Sequence, residues 1–273
     1  MNISTTMKSI LLLLFISVEC FAQIQPGARQ AALAHSDIAS AGDAFSLFNN
    51  PAGIASIHSR EIGINYSPAP YEMKELSNAF ASYCEPTDYG NFSVGFSIYG
   101  FELYKETQFV FGYGRNISRN FSIGASAIYK NIAIKNYGSK GVFLFNLGAI
   151  AKINEQFGIG FSAENITRTT INSESNQIPT VLWAGAYAKF FEELTFSIAA
   201  RKELGFNPSL RLGAEYSLLD FVQVRFGVSN EPSTYSSGFG VQYEFMQFDY
   251  AFSSHPDLGF THQFGLIVHF SSN

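Results

Sequence analysis

Charged side chains are scarce in this chain of 273 residues: Asp, Glu, Lys and Arg make up 14% of it, against about 25% in an ordinary soluble domain. Disorder, which needs much charge and little hydrophobicity, is excluded. Basic residues are outnumbered 17 to 22 and form no run, so the chain carries no electrostatic footprint for nucleic acid. Long apolar runs are also missing. The run Ser9 to Val18 falls short of the roughly 20 residues that a spanning helix needs, and no later stretch approaches that length. The five histidines (His35, His58, His255, His262 and His269) show no metal spacing, and there is no nucleophile elbow or P-loop. No enzyme, metal or cofactor is expected.

What the chain has instead is apolar and aromatic: 47% hydrophobic residues, 28 Phe, 14 Tyr and 23 Gly, an inventory that suits strands and turns better than helices. Lys8, the apolar run and the small residues Cys20 and Ala22 read as a secretory signal over 1–22, cut before Gln23. Only Cys84 would remain, which excludes an internal disulfide framework.

From about Glu61 to Phe270 hydrophobicity alternates with period two, between clusters of Gly, Pro, Asn, Ser and Asp. Phe92, Val94, Phe96 and Ile98 face one way, and Ser93, Gly95, Ser97 and Tyr99 the other. A soluble sandwich would carry Lys, Glu, Asp and Arg on its second face, whereas Gly and Ser suit a lumen packed by its own strands or by a plug. Aromatics near segment ends (Phe92, Phe121, Tyr129, Tyr216, Tyr235, Phe245 and Phe270) fit girdles at bilayer interfaces.

The segments are 61–66, 76–83, 92–101, 106–115, 121–131, 141–152, 157–166, 180–190, 194–203, 209–218, 221–230, 235–245, 247–254 and 260–270. That even number and length predict an all-β fold, a transmembrane antiparallel β-barrel of about 14 strands. Turns after strands six, eight, ten and twelve read as short, and connections after strands five, seven, nine, eleven and thirteen as longer outer loops. The connection after strand two breaks this parity.

The stretch Gly27 to Ser56 resembles the amino-terminal region of FadL-like outer-membrane barrels, particularly the PorV/PorQ group of Bacteroidetes-type bacteria. The matching residues are Arg29, Ala34, Asp43, Asn50, Pro51, Ala52 and Gly53. The closing segment Asp249 to Phe270 resembles the last hairpin of that group through His255, Asp257, Leu258, Gly259, Thr261 and His262. The chain departs from it in being short and in ending on Ser271, Ser272 and Asn273. The resemblance implies an N-terminal helical hatch over 23–58 that enters a barrel formed by 59–273. Physically, a segment rich in Ala, Gly and Ser suits a small-residue lumen, with Pro51 fixing the exit turn and Asn50 bonding nearby backbone. The alternative is an ordinary surface helix and loop.

Extending the alternation places Glu164, Arg201, Arg211, Glu215, Arg225, Glu244 and Asp249 on the lumen face, sparing the roughly 2 to 4 kcal/mol of an Arg at the lipid midplane. A turn centred on Asp220 opposes Glu215 to Arg225. A turn centred between Met246 and Gln247 opposes Glu244 to Asp249, two acids that need a cation between them. Arg29 or Arg225 would supply it, and Arg29 would thereby pin the hatch to the wall. The alternative is a salt-bridge network that merely fills the barrel.

Two functions follow from the resemblance. As a PorV/PorQ-type barrel the protein would be an accessory of type IX secretion, with secretion components or exported proteins as partners. As a FadL-like barrel it would pass a hydrophobic ligand across the outer membrane, with the hatch and a lateral wall gap as the route. Motif similarity ranks the first ahead. Outer-membrane lipid is a partner in either.

Overall fold

The computed structural model describes residues 25–171 and 178–270. The expected signal segment 1–22 and Ser271 to Asn273 lie outside the described residues. Fourteen strands form one closed antiparallel barrel: β1 (Arg60–Ser67), β2 (Asn78–Glu85), β3 (Asn91–Gly100), β4 (Tyr104–Ser118), β5 (Phe121–Ile134), β6 (Gly138–Lys152), β7 (Phe157–Glu164), β8 (Val181–Lys189), β9 (Leu194–Glu203), β10 (Ser209–Leu219), β11 (Val222–Asn230), β12 (Ser233–Tyr243), β13 (Met246–His255) and β14 (Gly259–Phe270). Each pairs with its neighbour in sequence, and β14 closes on β1 from Arg60 opposite Phe270 to Tyr66 opposite Phe264. Closure gives every strand a neighbour on both sides, the condition for strands to cross a hydrocarbon layer.

Period two decides which face is which. On β1 Ile62, Ile64 and Tyr66 are exposed while Glu61, Asn65 and Ser67 are buried. The same rule holds on β6, where Phe143, Phe145 and Leu147 point out and Val142, Leu144 and Asn146 point in. All seven aromatics read as girdle residues are exposed. The outer wall is thus apolar, which suits lipid and not water.

The rim that carries both ends of the barrel strands is called inner and the opposite rim outer. Loop lengths depart from expectation on the outer side, where only 135–137 join β5 to β6, 231–232 join β11 to β12 and 256–258 join β13 to β14. The reason is that stretches read as loop continue the ladder: β5 and β6 run 14 and 15 residues, β12 already starts at Ser233, and β13 and β14 reach His255 and Gly259. Two long outer connections remain, 68–77 and 165–180. The first hairpin also shifts: β2 begins at Asn78 because Lys74–Leu76 folds as a 3-10 turn.

Residues 25–57 lie within the ring of strands as short pieces: α1 (Ala28–Ala32), a 3-10 turn Asp37–Ala39, α2 (Ser46–Asn49) and a 3-10 turn Pro51–Ser56. The pieces follow the wall in a circuit. Helix α1 lies on β12 and β13, the turn at Asp37 on β7 and β8, and the turn at Pro51 on β4, β5 and β6. Asn50 caps that last turn, its Oδ1 accepting from the Ala52 amide at 3.2 Å and its Nδ2 donating to the Ile38 carbonyl at 2.8 Å. Pro51 occupies the first helical position, where its missing N–H costs nothing.

The circuit is possible because the wall at its level is built from small residues, such as Gly63 on β1, Ser82 on β2, Gly160 on β7, Ala199 on β9, Gly227 on β11 and Ala251 on β13. Backbone lies on backbone there. A Cβ on Gly227 would come within 2.5 Å of the Ala34 nitrogen, and one on Gly160 within 2.5 Å of the Ala39 Cα. Neither neighbour is the end of a flexible side chain, so the wall or the hatch would have to move. Gly227→Val is expected to lower the stability of the folded barrel by about 3 kcal/mol, the upper end of overpacking. Ala214→Val, on the lipid face of the adjacent strand, should change it by less than about 0.5 kcal/mol. Unfolding midpoints in detergent, read by heat-shifted gel mobility, check both.

Candidate functional site

Three groups of side chains stand out in the lumen among the described residues, two polar and one apolar. The first joins the hatch to β10, β11 and β13. Glu215 and Arg225 are paired across β10 and β11, and the Arg225 Nε donates to Glu215 Oε2 at 2.6 Å. Arg225 also donates through Nη1 to Asp249 Oδ1 at 2.6 Å. That reach passes over Gly240, the partner of Asp249, where a Cβ would lie 2.8 Å from both Nη atoms. From the hatch, Arg29 grips Glu215 with two bonds, Nε to Oε2 at 2.9 Å and Nη2 to Oε1 at 3.2 Å. Its Nη1 lies 3.3 Å from Asp37 and 4.0 Å from Asp43, while Gln30 donates to Asp43 at 2.6 Å. Glu215 is therefore shared between a hatch cation and a wall cation, a fork geometry that arginine supplies and lysine does not.

Glu244 is the correction here. It does not face Asp249 but sits exposed in the β12–β13 turn with φ 50°, beyond the last pair Tyr243–Met246. The left-handed conformation closes a two-residue turn at Glu244 and Phe245, so the hairpin centre falls two residues earlier than the assumed one. The cation beside Asp249 is Arg225, and the wall acid beside Arg29 is Glu215.

The second group lies toward the outer rim. Trp183 on β8 is fully buried, donates to Glu164 Oε1 at 2.7 Å, and has the guanidiniums of Arg211 and Arg201 at 5.1 and 5.7 Å from its ring. Ala199, which pairs with both Gly185 and Arg211, leaves the space over which Arg211 reaches the indole. Arg211 also donates to the Ala34 carbonyl of the hatch at 2.9 Å, and Arg201 to Glu203 at 2.8 Å. These are cation–π contacts to a buried ring from two half-buried guanidiniums.

The third group is apolar. Leu47 and Ile54 of the hatch pack with Val110, Ile128 and Leu144 from β4, β5 and β6, and Phe48 and Ile178 extend the cluster. Beside it the wall changes character. Strand β7 ends at Glu164, so only Leu147–Lys152 of β6 pair with it. Asn165 takes over, with its amide donating to Asn146 Oδ1 at 2.9 Å and its Nδ2 to the Ile178 carbonyl at 2.8 Å. The chain then follows β6 by single bonds, from the Ile166 amide to Phe145 and from the Thr169 hydroxyl to Phe143, each at 2.9 Å.

In the terminal hairpin, His255 Nδ1 accepts from the Asp257 and Leu258 amides at 3.2 Å. Gly259 has φ 96°, Thr261 is buried, and His262 faces outward with its Nδ1 2.8 Å from the Tyr250 hydroxyl. In the hatch motif, Ala52 and Gly53 are buried within the last 3-10 turn. Among the described residues no cluster of His, Cys, Asp and Glu could hold a metal.

Several lumenal polar residues lie outside the set that the alternation singled out. Lys130 and Glu106 form a buried pair at 2.7 Å, and Glu61 meets His269 at 3.1 Å. Parity could have found the first, because Lys130 shares the face of Gly124 and Ser126. Asn165 and Asp37 carry no periodic signal.

No protein-family model and no curated protein matches the chain. Solved structures do. A crystal structure of a Pseudomonas aeruginosa FadL homologue aligns with TM-score 0.67 at 13% identity, covering 91% of this chain and 99% of that one. The P. putida toluene transporter TodX gives TM-score 0.67 at 11% identity, with 91% and 99% covered. The CymD monoaromatic hydrocarbon channel gives 0.63 at 12%, with 90% and 98% covered. The chain thus shares the fold of FadL-like barrels over nearly its whole described length. The expected tie to type IX secretion has no counterpart among these structures.

If Arg29 and Glu215 act as one unit, Arg29→Met and Glu215→Gln should be less than additive. A double-mutant cycle on thermal unfolding is expected to give a coupling of roughly 2 kcal/mol, and additivity within about 0.5 kcal/mol would separate the two residues.

Proposed function

We propose that the protein is a non-enzymatic outer-membrane barrel that passes small hydrophobic molecules. The observation that carries this reading is the apolar lumenal cluster of Val110, Ile128 and Leu144 on the wall with Leu47 and Ile54 on the hatch. A barrel for hydrated solutes lines its lumen with polar groups. The hatch itself covers this cluster, with Leu47 and Ile54 fully buried and Val110, Ile128 and Leu144 nearly so, so a permeant takes the place of hatch side chains there. An aromatic ring that then buries roughly 200 Å² gains about 5 kcal/mol at 25 cal/mol per Å², whereas a sugar would lose its hydration without new partners.

The route follows from the same place. Where β7 stops, the wall beside Ile178 is held, among the described residues, by the bonds of Asn165 and by single bonds to β6. A ligand leaving the cluster sideways would pass there into lipid, as the FadL-like resemblance implies. The names of the structural neighbours, a toluene transporter and a monoaromatic hydrocarbon channel among them, support this reading over a secretion accessory.

The test compares cells with and without the gene, and proteoliposomes with wild type or Leu144→Asp, for entry of labelled toluene and of a labelled sugar. Toluene entry well above background, about tenfold lower in the variant, is expected, with an unchanged set of secreted proteins. Background entry with wild type, or loss of surface-attached exported proteins on deletion, would reverse the ranking of the two functions.

A further inference from the structure

The residues of the terminal hairpin meet the long connection between β1 and β2. That connection, 68–77, folds as two 3-10 turns, Pro70–Glu72 and Lys74–Leu76. Tyr71 and Glu72 are successive non-glycine residues in the left-handed region, φ 53° and 64°, a conformation that persists only where surrounding contacts hold it.

The contacts come from the hairpin. The Tyr71 amide donates to the buried Thr261 Oγ1 at 3.0 Å, and the Tyr71 ring meets His255 edge to face at 5.8 Å. Gly259 leaves room for Glu72, whose Oε2 would lie 3.0 Å from a Cβ placed there. Both ends of the segment are tied as well: the Ser67 hydroxyl donates to the His262 carbonyl at 2.6 Å, and the Gly100 amide of β3 donates to the Ser77 carbonyl at 3.1 Å. Pro70 is buried while Glu72 to Glu75 are exposed, so the segment turns one side inward, at the same outer rim where β8 starts two residues before Trp183 and β10 two residues before Arg211.

We propose that 68–77 is a lid over the outer mouth, above the chamber that contains Arg211 and Trp183, and that Thr261, His255 and Gly259 are its clasp. The clasp accounts for the spacing of these residues on one hairpin. Thr261 supplies the acceptor, His255 holds the turn amides with Nδ1 and the tyrosine with its ring, and Gly259 keeps the intervening space open. Opening the clasp exposes the outer lumen without breaking any strand ladder. As a gate for a hydrophobic permeant, the lid rests on the function proposed above.

Hydrogen exchange of the full chain in nanodiscs, read by mass spectrometry, tests the lid. Thr261→Val removes the acceptor. His255→Asn keeps an acceptor for the turn amides but loses the ring, and it serves if the first variant folds poorly. Peptides spanning 68–77 should exchange about tenfold faster in Thr261→Val, the effect of one lost hydrogen bond on local opening, and measurably faster in His255→Asn, while β13 and β14 stay as slow as in wild type. Unchanged exchange of 68–77 in both variants, or equal acceleration throughout the barrel, overturns the lid. Toluene entry measured on the same samples separates the two claims. The predicted exchange with no entry in wild type keeps the lid and removes the channel, and entry with unchanged exchange does the reverse.

Discussion

Backbone-to-backbone packing between the hatch and the inner wall is the constraint on which the rest of the molecule depends. A lumen lined by large side chains would have no space for a polypeptide circuit. Here small residues at one level let the chain pass so near that a methyl group at Gly160 or Gly227 would strike main-chain atoms. Dense contact of this kind is sensitive to single methyl groups, since cores close-packed to crystal density have nowhere to put them. The low charge of the sequence follows from the same arrangement. The outer wall must be apolar for lipid, and the inner wall must be small for the hatch, which leaves few positions for Lys, Arg, Asp or Glu.

The charges that remain are placed where the circuit needs direction. Small-residue packing is not specific in angle, whereas the fork of Arg29 on Glu215 fixes one end of the hatch against β10. Arg225 completes this by holding Glu215 and Asp249 together, and the Arg225–Asp249 pair is almost fully buried. Such a pair stabilises little over an apolar substitute but is costly to break on one side. Here it ties β11 to β13 across Gly240 of the strand between them. Arg211 holds the hatch toward the outer rim by donating to the Ala34 carbonyl.

Much of this was legible in the sequence because a barrel strand repeats a two-residue rule. Phe92 to Tyr99 already separate a lipid face from a small face, and Glu215 opposite Arg225 follows once the turn at Asp220 is recognised. The parts that were not legible depend on turns and on one-off contacts. Glu244 left the lumen because a left-handed residue closed the hairpin early, and no periodicity encodes that. Outer loops proved short because strands such as β5 and β6 extend past the point where hydrophobic alternation fades. Asn165 gained its role from the place where β7 stops. The closing hairpin stood out as a pattern, yet its contacts with Tyr71 and Glu72 required the fold, since 190 residues separate Tyr71 from Thr261.

The seating of the hatch on the wall can be observed directly by nuclear Overhauser spectroscopy of the barrel in micelles. The account predicts cross-peaks between the Gly227 α-protons and the Ala34 amide proton, and between the Gly160 α-protons and the Ala39 α-proton, alongside the cross-strand peaks of β10–β11 and β7–β8. Intact cross-strand peaks with both hatch contacts absent would show a barrel whose lumen is not filled by residues 25–57, and would contradict it.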